Sequence, residues 1–210
     1  LDEGYAPAYY EETDYCVRVW KESLRVVYNP KVTIQHFEFA SSGKVSEALA
    51  LQERNLELFR HRHQDWLSEQ FAPDEGNILR ARFHRRPRPR ILLIEDRVPK
   101  GWLGAGFPRS ADIVRELSAA GVQVTIFPTA GQPEAWDDIW KAQALDVEVV
   151  LPLKQNLDLE QFLRSRRDYF DAFFVTRPHN MAKLQSVLEK DPDLRGSARL
   201  IYDAEALFAS

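Results

Sequence analysis

The residues best suited to chemistry stand near the start of the chain. Glu11, Glu12 and Asp14 place three carboxylates within four positions, directly after Tyr9 and Tyr10. A carboxylate held at the rim of a pocket can take the proton from a hydroxyl nucleophile. Clustered acids also raise one another's pKa toward the range where such a base works. The same acids suit the first turn of a helix, whose dipole favours negative charge, so spacing alone leaves both roles open. A second candidate lies in the other half of the chain. Gly101-Trp102-Leu103-Gly104-Ala105-Gly106 follows an apolar run at 91–94. Glycines there let backbone amides approach a phosphate, helped by the N-terminus of the next helix. Gly104-Ala105-Gly106 runs on to Arg109 without the third glycine of the dinucleotide fingerprint. A plain flexible loop is therefore an equal reading.

These residues need elements to position them. Tyr15, Cys16, Val19, Trp20 and Leu24 recur at helical spacing behind the acidic cluster. Short strands are expected at Arg25–Tyr28 and Val32–Phe37, with Asn29-Pro30 as a turn. A helix is expected over 45–69, carrying Val45, Leu49, Leu56, Phe59 and Trp66 on one stripe, with Gln52 and His63 on the same face. That stripe suits packing on its own domain or against a second copy in a homodimer. Residues 1–71 are too few in strands to form a complete domain by themselves.

From Arg90 onward the pattern changes. Strands are expected at 91–94, 122–127, 147–151, 172–175 and 200–202, and helices at about 109–120, 134–144, 159–169 and 180–190. Alternating strands and helices argue for an α/β fold with a five-stranded parallel, Rossmann-like sheet over residues 90–210, preceded by a small α+β segment. Ligands of such sheets bind beyond the carboxyl ends of the strands. Between the two parts, residues 72–89 read as a linker rich in arginine and proline. Six arginines fall between Arg80 and Arg90. They suit a solvated linker or a basic patch near anionic lipid.

Composition narrows the function. Hydrophobic residues at 44% are enough for a packed core. A net charge of -4 gives no basic field for nucleic acid. The single cysteine, Cys16, cannot form an internal disulfide, which points to a reducing, cytoplasmic setting. No apolar run has the length of a membrane span. The chain opens on Leu1 rather than Met, which fits a piece of a longer protein.

Two resemblances follow from the motifs. Asp2-Glu3, then Pro7-Ala8-Tyr9-Tyr10-Glu11-Glu12-Thr13-Asp14-Tyr15-Cys16, then Arg25-Val26-Val27-Tyr28-Asn29-Pro30, resembles the end of the catalytic domain of family-two glycosyltransferases. Those are inverting enzymes of the GT-A fold. The resemblance implies that Glu12 is the general base on the acceptor hydroxyl, with Glu11 and Asp14 beside it. The family usually has Asp at the position of Glu12, so the carboxylate here reaches one methylene further. His36 stands where many relatives carry a histidine near the donor diphosphate and its Mg or Mn ion, though a strand-end histidine with a local hydrogen bond explains it equally. The family's Asp-x-Asp donor site lies in the first half of its domain, and none precedes Leu1. This part is therefore expected to be inert alone, with no metal bound in the fragment.

Residues 90–210 resemble the N-terminal domain of family-four glycosyltransferases, which have the GT-B fold. The resemblance rests on Arg90–Pro99, on Ala105-Gly106 with Arg109, on 170–178 and on 200–207. It implies an inter-domain cleft formed by Gly104, Gly106, Arg177, His179 and Asp203; a helix N-cap is the alternative for Asp203. Ile91–Ile94 with Glu95-Asp96 also resembles a response-regulator receiver, but the missing Asp after 147–151 and the missing Lys after 200–202 argue against it. Together the resemblances imply a tandem enzyme moving sugar from a nucleotide-sugar to a polysaccharide or glycolipid acceptor, at the inner face of a membrane. The alternative is a self-contained Rossmann-like module that binds a nucleotide or a protein.

Overall fold

A computed structural model of the chain describes residues 2–29, 32–35, 45–82 and 88–204. The chain divides into two compact units, Leu1–Arg86 and Pro87–Ser210.

The second unit is α/β. Its strands are β1 (Arg90–Glu95), β2 (Gln123–Pro128), β3 (Glu148–Val149), β4 (Ala172–Thr176) and β5 (Arg199–Asp203). They form one all-parallel sheet in the order β3-β2-β1-β4-β5, a Rossmann-like arrangement. β1 lies in the middle, and Leu92, Leu93 and Ile94 are buried as a central strand covered on both faces requires. In register, Ile91–Ile94 pairs with Ala172–Val175 on one side and Arg90–Glu95 with Gln123–Pro128 on the other. The chain runs outward from β1 through β2 to β3, then returns to β4 and β5. The order therefore reverses between β1 and β4, the place where ligands enter such sheets.

Helices flank the sheet. After α1 (Glu11–Lys21), α2 (Val45–Arg62) and α3 (Gln64–Ser68) of the first unit, they are α4 (Phe107–Ala119), α5 (Trp136–Ala142), α6 (Pro152–Gln155), α7 (Leu159–Ser165) and α8 (Pro178–Lys190). Each start has a local cause. Gly106, at φ 83°, turns the chain into α4. Asp158 and Gln161 form a reciprocal capping box on α7. Pro178 opens α8, where its missing N–H is no loss. Leu93, Val98, Val114, Val124, Ile126, Ile139 and Leu151 form a core on this sheet. The expected strand at 147–151 shrinks to the two residues of β3, because Pro152 opens α6 immediately after it.

The first unit holds α1 (Glu11–Lys21), α2 (Val45–Arg62) and α3 (Gln64–Ser68). Tyr5, Val17 and Phe59 form its small core, with Tyr10, Trp20, Leu58, Trp66 and Leu67 packed against it. The expected helix over 45–69 is broken at His63, whose φ of -117° leaves the helical region. Val45 and Leu49 of the expected stripe are exposed, whereas Phe59 and His63 are buried. The strand expected at Arg25–Tyr28 does not form, and neither does the described part, 32–35, of the one expected at 32–37. Tyr28 is 86% exposed. A strand needs a neighbouring strand to satisfy its backbone, and the described residues of this unit supply no sheet.

Leu92 is fully buried at the centre of the sheet. Leu92→Ala is expected to destabilise the second unit by about 3 kcal/mol, measured by urea denaturation. A loss below about 1 kcal/mol would contradict a close-packed centre at β1.

Candidate functional site

The carboxyl ends of β1 and β4 converge on one carboxylate. Glu95, the last residue of β1, is 0% exposed. Its Oε1 accepts from the Asp96 backbone N–H at 2.8 Å and from Arg177 Nε at 3.0 Å, and its Oε2 accepts from Ser110 Oγ of α4 at 2.8 Å. Arg177 follows β4 directly. The same guanidinium lies 3.4 Å from Asp96 Oδ2 and donates through Nη2 to the Ala105 carbonyl at 2.6 Å. It also lies over the Phe107 ring, 4.8 Å from the centroid. One side chain thus ties β1, β4 and the glycine-containing loop together. Arg177 holds φ at 67° and ψ at 144°, a region that normally only glycine visits.

Asp96 is the second centre. Its Oδ1 accepts from His179 Nε2 at 2.5 Å and from Asn180 Nδ2 at 2.9 Å. Asn180 is fully buried, and its carbonyl oxygen accepts from Thr129 Oγ1 at 2.5 Å. Burial pushes the Asp96 carboxyl up. The hydrogen bonds from His179 and Asn180, with the charges of His179 and Arg177, outweigh burial and hold it below the usual carboxylate value. The pairing orients His179, whose side chain is 55% exposed, at the mouth of this edge. A histidine oriented by a carboxylate can exchange a proton with a bound group.

Of the residues expected at a cleft, the structure brings Gly106, Arg177, His179 and Asp203 to this edge. Asp203 ends β5; its Oδ2 pairs with Arg109 of α4, and its carbonyl accepts from the Arg177 N–H at 3.2 Å. Gly106 is required by its positive φ, whereas a Cβ on Gly104 would meet open space. Glu95, Asp96, Ser110, Asn180 and Thr129 were not among the expected residues. An acidic pair closing an apolar strand was their one visible sign. A further buried pair fixes the loop's base: Lys100 donates to Glu134 at 2.5 Å, and Glu134 also accepts from Arg97 and from the Val98 N–H.

The acidic cluster of the first unit divides into two roles. Asp14 is 2% exposed. It accepts from Tyr5 OH at 3.2 Å, from His63 Nε2 at 2.8 Å and from Arg18 Nε at 2.8 Å. Lys21 donates to His63 Nδ1 at 3.1 Å, which assigns the ring proton to Nε2. Asp14 therefore anchors α1 to the end of α2 and does not face a ligand. Glu12 is exposed and, with Tyr9, Tyr10, Thr13 and Gln52, lines an open hollow of about 350 Å³. Glu11 Oε2 is shut from solvent with no hydrogen-bond partner among the described residues, a costly state for a carboxylate oxygen. Tyr9 and Tyr10 both hold positive φ, at 76° and 72°. The buried Asn55 amide fixes them by donating to the carbonyls of Tyr5, Ala8 and Tyr9.

His36 lies outside the described residues. Among the described residues no group of three His, Cys, Asp or Glu side chains is arranged to hold a metal ion, and Asp14 is committed to protein partners. No described helix is long and apolar enough to cross a membrane. Compared with known proteins, the chain matches no family model, no curated protein and no solved structure.

Arg177→Ala is expected to destabilise the second unit by about 3 kcal/mol, because it leaves Glu95 charged and buried. Glu95→Gln added to it is expected to restore at least about 1 kcal/mol. Chemical denaturation of both variants checks this, and additive losses would contradict the pairing.

Burial pushes the Asp14 carboxyl up, and the hydrogen bonds from His63, Arg18 and Tyr5 with the Arg18 charge bring it below its ordinary 3.8. A lowered folded value contributes stability that is fully present above 3.8 and lost as pH falls through the folded value. An acid titration followed by Trp20 and Trp66 fluorescence is expected to show the first unit loosening below that value. In Asp14→Asn the added loss in that window is expected to disappear.

Proposed function

We infer that the chain joins the acceptor-activating end of one glycosyltransferase unit to the Rossmann-like unit of a second. The parent enzyme would move sugar from a nucleotide-sugar to a polysaccharide or glycolipid acceptor. The observation that carries this reading is the β1/β4 edge, where a strained arginine, a histidine–aspartate pair and a glycine-containing loop meet at the reversal of strand order. That position is where such sheets take nucleotides. Glu12 supports the reading from the first unit. It is exposed at an aromatic-lined hollow, as a base for an acceptor hydroxyl must be. Its neighbour Asp14 holds the helix that carries it.

The charges at the edge set what this chain can do alone. Arg177 is met by Glu95 and Asp96, and Arg109 by Asp203. A diphosphate arriving here meets nearly compensated charge, so most of its binding energy must come from a second lobe. Within this reading His179 meets the donor or acceptor, and Gly106 positions the start of α4. A divalent Mg or Mn ion would belong to the donor site of the GT-A unit.

Calorimetric titration with UDP, GDP and dTDP, with and without Mn²⁺, tests this. Binding is expected to be weaker than about 100 µM, equivalent to about -5.5 kcal/mol, and insensitive to Mn²⁺. Tighter binding would contradict a half-site and favour a self-contained nucleotide module.

A further inference from the structure

The sheet of the second unit ends on an open edge. β5 pairs with β4 along one side, Arg199–Asp203 against Ala172–Thr176. No strand among the described residues pairs with its other side. Its faces are open as well: Arg199 is exposed, and Leu200, Ile201 and Tyr202 are 39%, 41% and 43% exposed. Edge strands that stay single are blunted by proline, lysine or a bulge. Arg199-Leu200-Ile201-Tyr202-Asp203 contains neither residue, and its register with β4 runs without a break.

Backbone direction decides how the edge can be used. The Arg199 N–H donates to the Asp171 carbonyl, and the Asp203 carbonyl accepts from the Arg177 N–H. Successive residues of a strand alternate. Residues 199, 201 and 203 therefore face β4, and Leu200 and Tyr202 turn their N–H and C=O outward. Two outward residues flanking Ile201 match a copy of themselves run antiparallel. With a two-fold axis at Ile201, Leu200 and the partner's Tyr202 exchange both hydrogen bonds, and so do Tyr202 and the partner's Leu200.

The side chains follow the same symmetry. Arg199, Ile201 and Asp203 share one face of β5. In this register Arg199 lies opposite the partner's Asp203 at each end, and Ile201 lies opposite itself in the middle. Arg199 has no ion pair among the described residues. Asp203 meets Arg109 through Oδ2, and its Oδ1 has no partner among the described residues. Opposite charges directly across a strand pair are stabilising. The segment is thus complementary to itself, as a closed two-fold interface requires. Five residues a side fall well short of the roughly 20–30 of a standard interface, so the contact is of the weak, reversible class.

We propose that β5 joins two copies of this chain edge to edge, antiparallel about Ile201, so that two five-stranded sheets become one. The carboxyl-end edges of the two copies then point in opposite directions. The pairing goes beyond the nucleotide reading and does not depend on it.

The test is analytical ultracentrifugation of the full chain from about 1 µM to about 1 mM. A reversible dimer is expected, with Kd between about 10 and 500 µM. Arg199→Glu sets like charges across the pair and is expected to raise Kd at least about tenfold. Tyr202→Pro removes an outward donor while sparing the β4 ladder. It is expected to do the same, with circular dichroism checking that the sheet is kept. Leu49→Glu, on the exposed part of α2, is expected to leave Kd within about twofold. In a Cys16→Ser background, Ile201→Cys is expected to give a covalent dimer on mild oxidation, because opposed Cβ atoms lie about 4.5–5.5 Å apart. A monomer at every concentration would overturn the proposal. So would a dimer that Arg199→Glu leaves unchanged, a dimer that Leu49→Glu abolishes, or Ile201→Cys chains that do not cross-link. Failure of the nucleotide titration would leave this result standing, and the reverse also holds.

Discussion

A charged carboxylate buried at the end of the central strand needs a compensating cation, and Glu95 has Arg177. Isolated burial of that charge would cost several kcal/mol, so the chain around it is arranged to keep the pair together. Arg177 adopts a backbone conformation that normally belongs to glycine, so that its guanidinium reaches Glu95, Asp96 and the Ala105 carbonyl at once. Ser110 brings α4 to the same carboxylate, and Asp96 brings His179 and Asn180 of α8. Two helices, two strands and one loop are thereby registered against each other at one edge. Strain of about 1–3 kcal/mol at Arg177 persists because these contacts over-determine it.

The first unit repeats this logic on a smaller scale. Its acids are adjacent in sequence but not in role. Asp14 faces inward to His63, Arg18 and Tyr5, whereas Glu12 faces the hollow beside Tyr9 and Tyr10. Two positions along a helix start separate an anchor from an accessible acid, because the side chains at 12 and 14 leave α1 in different directions. Asn55 performs for the strained tyrosine pair what Glu95 does for the arginine.

Much of the second unit was legible from apolar runs. Ile91–Ile94 and the periodic helices located the sheet and its covering layer, since burial is written in local hydrophobicity. The pairings at the edge were not legible. Glu95 and Arg177 are 82 positions apart, and nothing local marks one as the partner of the other. Arg177, His179 and Asp203 were expected at a cleft, but Asp96 and Asn180, which orient His179, were not. In the first unit the pattern misled. Arg25–Tyr28 has the β-branched and aromatic residues of a strand and Val32–Gln35 alternates like one, yet a strand is a property of a sheet and the described residues of that unit have none. His63 falls on the apolar stripe of the expected long helix. Its ring instead meets Asp14 and Lys21, and the helix breaks there.

If ligand enters at the edge organised by Glu95 and Arg177, its contacts fall on the residues around that pair. The most direct measurement is an amide chemical-shift map of the full chain with UDP at about 10 mM, where even weak binding is visible. Shifts are expected to cluster at Gly104–Phe107, Arg177–Asn180 and Asp203. Shifts confined to other parts of the chain, or none at that concentration, would contradict it.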